Sequence, residues 1–171
     1  QANILNNFPA VLVVRGDTPQ DITRKVYSTK SIDLIQKLKI SAPRLTVFAA
    51  LDPYRVSLRQ ELEYAKAKID AGVDGFFTQP FFDVRFMELY ANLCTGYNLF
   101  YGVSPVCDTI SQKYWEVKNN VVFPKDFQPT KGWNQQFARK ALAFVKSANF
   151  NIYFMPIKLD LKEYLTGVFR N

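Results

Sequence analysis

The chain contains no histidine, and its two cysteines, Cys94 and Cys107, lack the CxxC spacing of a thiol metal or redox site. Without histidine there can be no Ser-His-Asp or Cys-His arrangement and no mixed Cys/His metal centre. We therefore expect no metal site and interpret both cysteines as structural thiols. Any chemistry has to use carboxylates, lysines, tyrosines or a bound cofactor.

Long apolar runs are also missing. No stretch approaches the roughly 20 apolar residues of a membrane span, and the residues that follow Gln1 lack the charged start and apolar centre of a signal peptide. We therefore expect a cytoplasmic protein with no membrane partner. Because no Met precedes Gln1, we also expect that Gln1 is not the first residue of the gene product.

Acidic residues are fewer than basic ones, which gives a formal net charge of +7. The basic residues are scattered from Arg15 to Arg170 without a dense block, and this predicts solvated helix faces rather than a nucleic-acid surface. A basic balance also suits an anionic small molecule such as a dinucleotide or a polycarboxylate. We expect a small-molecule ligand and no nucleic acid, and we leave a homo-oligomer open.

Short apolar runs of strand length alternate with helical patterns along the chain. The clearest helix begins with a capping box from Ser57 to Gln60 and stops at Gly72. Its covered face is predicted to carry Leu58, Leu62, Ala65 and Ile69. The strands are expected at residues 10–14, 45–50, 75–78, 98–103 and 151–155, and the other helices at about 30–39, 84–95, 109–118, 132–148 and 160–169.

This alternation predicts a parallel sheet, and the nearly continuous apolar runs predict strands that are covered on both faces. An open doubly wound sheet would show a Gly-rich first βα turn, which is absent here. Five strands are too few for a complete barrel of about 250 residues. We therefore predict an α/β fold of the (β/α)8 TIM-barrel type: one domain over residues 1–171 that forms a partial barrel of about five βα units, its first units missing from the chain or supplied by another segment.

Polar residues follow four successive strands of the predicted sheet. Arg15-Gly16-Asp17 closes the first strand, Asp52 follows the second, Thr78-Gln79 ends the third, and Ser104 follows the fourth. In a parallel sheet the carboxyl ends of the strands lie along one edge, which is where ligands bind. The sequence therefore predicts a ligand site at this edge.

Five short segments, in this order and approximate spacing, resemble successive landmarks of the methylenetetrahydrofolate reductase family over nearly the whole chain. They are Arg15-Gly16-Asp17, Ala49-Ala50, Lys68 with Asp70-Ala71-Gly72, Thr78-Gln79 with Phe81-Phe82-Asp83, and Gly102 with Pro105-Val106. The resemblance implies a flavin-dependent (β/α)8 barrel that passes a hydride from NAD(P)H through FAD to methylenetetrahydrofolate. The chain would then be the C-terminal portion of that barrel.

The resemblance also implies a set of residues that bind FAD. Asp17 would lie beside the flavin ring as the catalytic residue of this chain and tune the electron density of the ring. Arg15 and Lys68 would contact the FAD, with Lys68 a partner for phosphate or the ribityl chain. Ala49 would border the cofactor, and Glu61 aligns with a family carboxylate that contacts its sugar portion.

Three further residues are implied for the folate-type substrate. Gln79 would hydrogen-bond a pterin-like ring, because its amide offers both a donor and an acceptor. Trp115 falls where the family stacks an aromatic side chain on folate or nicotinamide, and Tyr114 is the nearby substitute.

The chain also departs from the family pattern. The catalytic glutamate of the family would lie upstream of Gln1, and segment 51–55 replaces a cluster that carries a glutamate and histidine in many members. A second hypothesis is therefore a catalytically silent relative that binds a partner or serves as a subunit. A third is a flavin-free lyase or aldolase with Lys68 or Lys158 as an amine nucleophile.

Overall fold

The computed structural model describes residues 8–16, 29–157 and 159–169. The strands are β1 Ala10–Val13, β2 Thr46–Leu51, β3 Gly75–Pro80, β4 Leu99–Val103 and β5 Asn151–Phe154. The helices are α1 Ser31–Ser41, α2 Leu58–Asp70, α3 Val84–Leu93, α4 Thr109–Asn119, α5 Lys131–Ser147 and α6 Leu161–Phe169. The predicted order of strands and helices is confirmed, with α4 and α5 both lying between β4 and β5.

The five strands form one sheet in the order β1-β2-β3-β4-β5, and every neighbouring pair is parallel. A doubly wound sheet reverses its strand order at a switch point, whereas the strands of a barrel follow one another in chain order. Right-handed crossovers that all run in one direction also place their helices on the same face. The predicted α/β fold, part of a barrel, is therefore confirmed.

One face of the sheet lies in the hydrophobic core beneath the helices. In β2 the buried residues Val47, Ala49 and Leu51 alternate with residues that are only half-buried. The same core includes residues from five helices, namely Ile35 of α1, Ala65 of α2, Met87 and Tyr90 of α3, Phe137, Ala138, Ala141 and Val145 of α5, and Tyr164 and Val168 of α6. Burial of this face provides the main apolar driving force for the fold.

The opposite face, which we call the inner face, carries Phe48, Phe77, Phe100 and Tyr153, all half-buried. The Phe77 and Phe100 rings stack with centroids 4.5 Å apart, and Phe48 meets both rings edge-on. The sequence predicts cover on both faces, but on this side the rings mainly cover one another. The five described strands do not close a barrel, and the rings of the inner face remain half-buried among the described residues.

Helix α2 begins and ends as predicted. The Ser57 hydroxyl accepts a hydrogen bond from the Gln60 N–H, and Gly72 after the helix has a φ of +99°. The burial of the helix differs from the prediction, however: Ala65 is fully buried, but the other deeply buried positions are Glu61 and Lys68. Leu58, Leu62 and Ile69 are half-buried at the sides of this stripe.

Gly75 marks a close approach between β3 and the residue before β4. A Cβ atom at position 75 would lie 2.8 Å from the backbone oxygen of Asn98, which accepts the Phe76 N–H and therefore cannot easily move. A Cβ at Gly132, near the start of α5, would meet nothing within 4 Å. The two glycines form a matched pair for substitution.

We predict that Gly75→Ala lowers the free energy of unfolding by about 1–3 kcal/mol, because the added methyl group overpacks a fixed backbone contact. Gly132→Ala should leave stability unchanged or raise it by up to about 1 kcal/mol, because alanine favours the helix. Urea denaturation of both variants measures the difference. Equal stability losses would contradict the close approach at Gly75.

Candidate functional site

The residues that follow β1 lie at the predicted ligand edge. Arg15 is exposed and makes no ion pair with the residues that the structure describes. Its guanidinium is therefore available to an anionic ligand. Asp17 lies outside the described residues.

The two alanines at the end of β2 face different surroundings. Ala49 is completely buried and its side chain belongs to the core beneath the helices, whereas Ala50 is half-buried. The Ala50 carbonyl oxygen accepts a hydrogen bond from the Lys68 Nζ at 2.5 Å. The end of β2 is thus held by a side chain from α2.

Glu61 closes the loop between β2 and α2. Its side chain is 1% exposed, and its carboxylate accepts the Asp52 N–H and an Arg55 guanidinium N–H, both at 2.9 Å. The Asp52 carboxylate in turn accepts the Tyr54 N–H at 3.0 Å. Both oxygens of Glu61 therefore have partners within the protein, and the carboxylate fixes the chain immediately after β2.

The Lys68 amine is 3% exposed and lies 4.2 Å from the centre of the Tyr64 ring. Burial lowers the pKa of Lys68 to about 8, and the nearby Glu61 carboxylate opposes part of this effect. The ring and the Ala50 carbonyl together stabilise the ammonium form. An amine nucleophile at Lys68 would first have to leave the Ala50 carbonyl. Lys158, the other candidate nucleophile, is outside the described residues.

Gln79 lies near the end of β3 and is half-buried. Its side-chain amide forms no hydrogen bond with the residues that the structure describes. The amide atoms are not enclosed, so water or a ligand can reach both the donor and the acceptor. Of the predicted site residues, Gln79 has the clearest unused capacity to bind a ligand.

The adjacent residues Tyr114 and Trp115 of α4 have different environments. Tyr114 is 57% exposed, whereas Trp115 is 7% exposed and meets the Phe82 ring edge-on with centroids 5.6 Å apart. Trp115 belongs to a second apolar cluster with Phe82, Val106 and Val121. Of these two residues, only Tyr114 has an exposed ring surface.

A cavity of about 750 Å³ lies between the start of α3, the loop before α5 and α5 itself. Trp133, Arg85 and Lys140 are among its lining residues, and none of the predicted site residues lines it. Arg85 is already paired with Asp83 through two hydrogen bonds. The cavity is thus separate from the polar groups that the sequence places at the strand ends.

Sequence reasoning assigned no role to two polar residues near Gln79. The Thr78 hydroxyl accepts the Gly102 N–H, and the Thr78 carbonyl accepts the Tyr153 hydroxyl. In the sequence, Thr78 is a polar residue within an apolar strand, and Tyr153 places a hydroxyl group in another apolar strand. No local pattern indicates that the two residues meet.

The sheet order and the polar strand ends define a partial (β/α) barrel with its candidate ligand site at the carboxyl ends of the strands. The family model described as methylenetetrahydrofolate reductase matches residues 7–130. The chain therefore belongs to the methylenetetrahydrofolate reductase family, as its sequence predicts.

Two curated relatives, both 5,10-methylenetetrahydrofolate reductases, come from Buchnera aphidicola. The protein of subspecies Acyrthosiphon pisum (strain APS) is 24% identical over 125 residues, and that of subspecies Schizaphis graminum (strain Sg) is 23% identical over 125 residues. Each match covers 70% of this chain and 43% of the relative. The chain thus spans less than half the length of these relatives.

The fold is similar to that of a solved 2,3-dimethylmalate lyase, a member of the PEP mutase/isocitrate lyase superfamily. The TM-score is 0.55 at 14% sequence identity, and the match covers 96% of this chain and 50% of the lyase chain. This likeness supports the partial barrel. No helix within the described residues is long and apolar enough to cross a membrane.

We predict that Glu61→Ala lowers the free energy of unfolding by about 2–3 kcal/mol, because it leaves the Asp52 N–H and the Arg55 guanidinium without their acceptor. Glu63→Ala on the same helix is the control, because Glu63 pairs with Arg59 at the surface. That change should cost less than about 0.5 kcal/mol. Chemical denaturation of the two variants gives the comparison, and similar losses would argue against a bracing role for Glu61.

Lys68 should also produce a pH dependence of stability. Its pKa is about 8 in the folded protein, below the usual value of 10.5, so the unfolded chain binds more protons between these pH values. The stability contribution of Lys68 should therefore rise between about pH 8 and pH 10.5, by up to about 3 kcal/mol. Because other groups titrate in this range, the measurement is the difference between the wild type and Lys68→Met. A difference that does not change with pH would contradict the lowered pKa.

Proposed function

We propose that this chain is part of an FAD-dependent oxidoreductase that transfers a hydride from NAD(P)H through the flavin to a folate-type acceptor. The observation that carries the proposal is the half-buried amide of Gln79, which has no partner among the described residues and lies at the ligand edge of a family member. We further propose that the chain forms a single domain, the C-terminal portion of the barrel.

The residues near the strand ends divide into two groups with respect to FAD. The Arg15 guanidinium makes no ion pair with the described residues and suits the diphosphate, and we propose Asp17 beside the flavin ring. Lys68 and Glu61 are occupied by the backbone and by Arg55, so we propose that they support the cofactor by fixing the end of β2. The buried side chain of Ala49 leaves its backbone as the part that can border the cofactor. When bound, the flavin supplies the hydride-carrying chemistry that these side chains lack.

The acceptor would be held by an amide and an aromatic surface. Gln79 can donate to and accept from the edge of a pterin-like ring at the same time. Tyr114 offers an exposed ring on which such a ligand can stack, while Trp115 would support α4 through its contact with Phe82. This division of roles follows from the different exposure of the two neighbours.

A catalytically silent relative is the second candidate. It is favoured by the internal engagement of Glu61 and Lys68, since neither side chain is free to bind a ligand directly. In this case the family scaffold would persist without cofactor chemistry. Flavin binding by the full-length protein separates the two candidates.

We predict that the full-length protein binds FAD, seen as visible absorbance that remains with the protein after gel filtration. Gln79→Ala should keep the flavin and bind methyltetrahydrofolate about tenfold more weakly, because it removes the hydrogen bonds of the amide. Gln36→Ala, at an exposed site on α1, is the control and should bind as the wild type does.

A colourless full-length protein that takes up no added FAD would overturn the flavoprotein proposal and favour the silent relative. Unchanged affinity of Gln79→Ala for methyltetrahydrofolate would remove Gln79 from the ligand site. Isothermal titration measures the affinity for FAD and the affinity for methyltetrahydrofolate.

A further inference from the structure

The strand that carries Gln79 is irregular just before its end. Phe77 pairs with Phe100 and Pro80 pairs with Gly102, so Thr78 and Gln79 together lie opposite the single residue Tyr101. This is a β-bulge, in which the extra residue disrupts the ladder of backbone hydrogen bonds. Other contacts have to hold such a bulge in one conformation.

The hydroxyl and the carbonyl of Thr78 are held by residues of two other strands, β4 and β5. The Gly102 N–H of β4 donates to the Thr78 hydroxyl oxygen at 3.0 Å, and the Tyr153 hydroxyl of β5 donates to the Thr78 carbonyl oxygen at 2.5 Å. Thr78 is 1% exposed, so water does not compete with these bonds. We call these two hydrogen bonds, with the three residues that form them, the Thr78 clamp.

The Tyr153 side chain reaches Thr78 across an intervening strand. β4 lies between β5 and β3, and a Cβ atom at Gly102 would be 2.7 Å from the Tyr153 hydroxyl and 2.9 Å from the Thr78 carbonyl oxygen. Only glycine leaves room for the ring to cross here. The ring also packs against Phe77, with centroids 5.3 Å apart.

The Tyr153 hydroxyl is a dependable donor. Burial raises the pKa of Tyr153 to about 12, so the hydroxyl keeps its proton throughout the neutral range. The carbonyl it meets belongs to the residue directly before Gln79. A shift of Thr78 would therefore be passed to Gln79 through a single peptide unit.

We propose that Tyr153 and Thr78 are positioning residues for Gln79: the Thr78 clamp fixes the bulge and thereby the direction of the Gln79 amide. That the amide faces a folate-type ligand rests on the proposed function, whereas the positioning itself does not. The two parts can be tested separately in the same full-length protein.

The first measurement observes the Gln79 amide without any ligand. In protein labelled with ¹⁵N-glutamine, the side-chain amide signals of Gln79 are identified by their loss in Gln79→Ala. Tyr153→Phe should shift or broaden these signals, because it deletes one hydrogen bond of the clamp and keeps the ring. Tyr101→Phe is the matched control, since the Tyr101 hydroxyl also donates to a backbone carbonyl, that of Met87 at 3.2 Å, but on the helix-covered face.

A second pair of variants tests the other side of the clamp. Thr78→Val removes the hydroxyl that accepts the Gly102 N–H and should also move the Gln79 signals, whereas Thr78→Ser keeps the hydroxyl and should preserve them. If Tyr153→Phe does not fold, the comparison of Thr78→Val with Thr78→Ser still tests whether the Thr78 clamp positions Gln79. Urea denaturation of each variant separates a loss of stability from a change at Gln79.

The second measurement uses methyltetrahydrofolate as the probe. Tyr153→Phe should bind it about fivefold more weakly than the wild type, and the effect should vanish when Gln79 is already alanine. Tyr101→Phe should bind as the wild type does.

Gln79 signals that stay unchanged in both Tyr153→Phe and Thr78→Val would overturn the positioning role, whether or not the probe binds. Equal movement in Tyr101→Phe would overturn it too, because the effect would then reflect a general loosening of the sheet. If the Gln79 signals move as expected in the two variants but the wild-type protein does not bind methyltetrahydrofolate, the result would support the clamp and contradict the proposed function.

Discussion

The parallel pairing of consecutive strands imposes the constraint on which this structure depends. Each crossover carries its helix to the same face, so that face becomes a fully covered core while the inner face depends on its own side chains. The stacked rings of Phe77 and Phe100, with Phe48 beside them, are the result. The same constraint aligns the strand ends and brings Arg15, Asp52 and Gln79 to one edge of the sheet.

Two distinct forces act at that edge. Apolar burial sets the position of each strand, but the loop after β2 is fixed by a buried polar side chain. Glu61 and Lys68 both act on the end of β2, one through the Asp52 N–H and the other through the Ala50 carbonyl. The candidate site is therefore supported by charged groups from the helix layer, which are stable there because each has a partner.

The positions of the helices and strands could largely be predicted, because they depend on short-range sequence features. The capping box at Ser57 and the left-handed glycine at Gly72 are short-range features, and both occur where the sequence indicates. The burial of Glu61 and Lys68 could not be read in this way, since charged residues are normally assigned to the exposed side of a helix. Their partners lie on the preceding strand and in the loop that follows it, and only the folded packing brings them together.

The bulge at Thr78 is harder still to anticipate. Tyr153 is 75 residues away in the chain, and its hydrogen bond to Thr78 depends on the strand order and on the missing side chain at Gly102. Gln79 could be selected as a site residue from its position at a strand end, but the lack of a hydrogen-bond partner for its amide among the described residues could not be predicted. Features that involve three strands at once are set by tertiary structure and leave no periodic trace.

The edges of the sheet have a consequence for the behaviour of this chain in solution. β1 and β5 are the outer strands of the described sheet, and unpaired strand edges are templates on which other chains can add. The net charge of +7 opposes such contacts, because like-charged molecules repel one another before their edges meet. Salt shortens this repulsion to a range of about 8 Å at physiological ionic strength. The colloidal stability of the chain, as distinct from its folding stability, is thus linked to its excess of lysine and arginine.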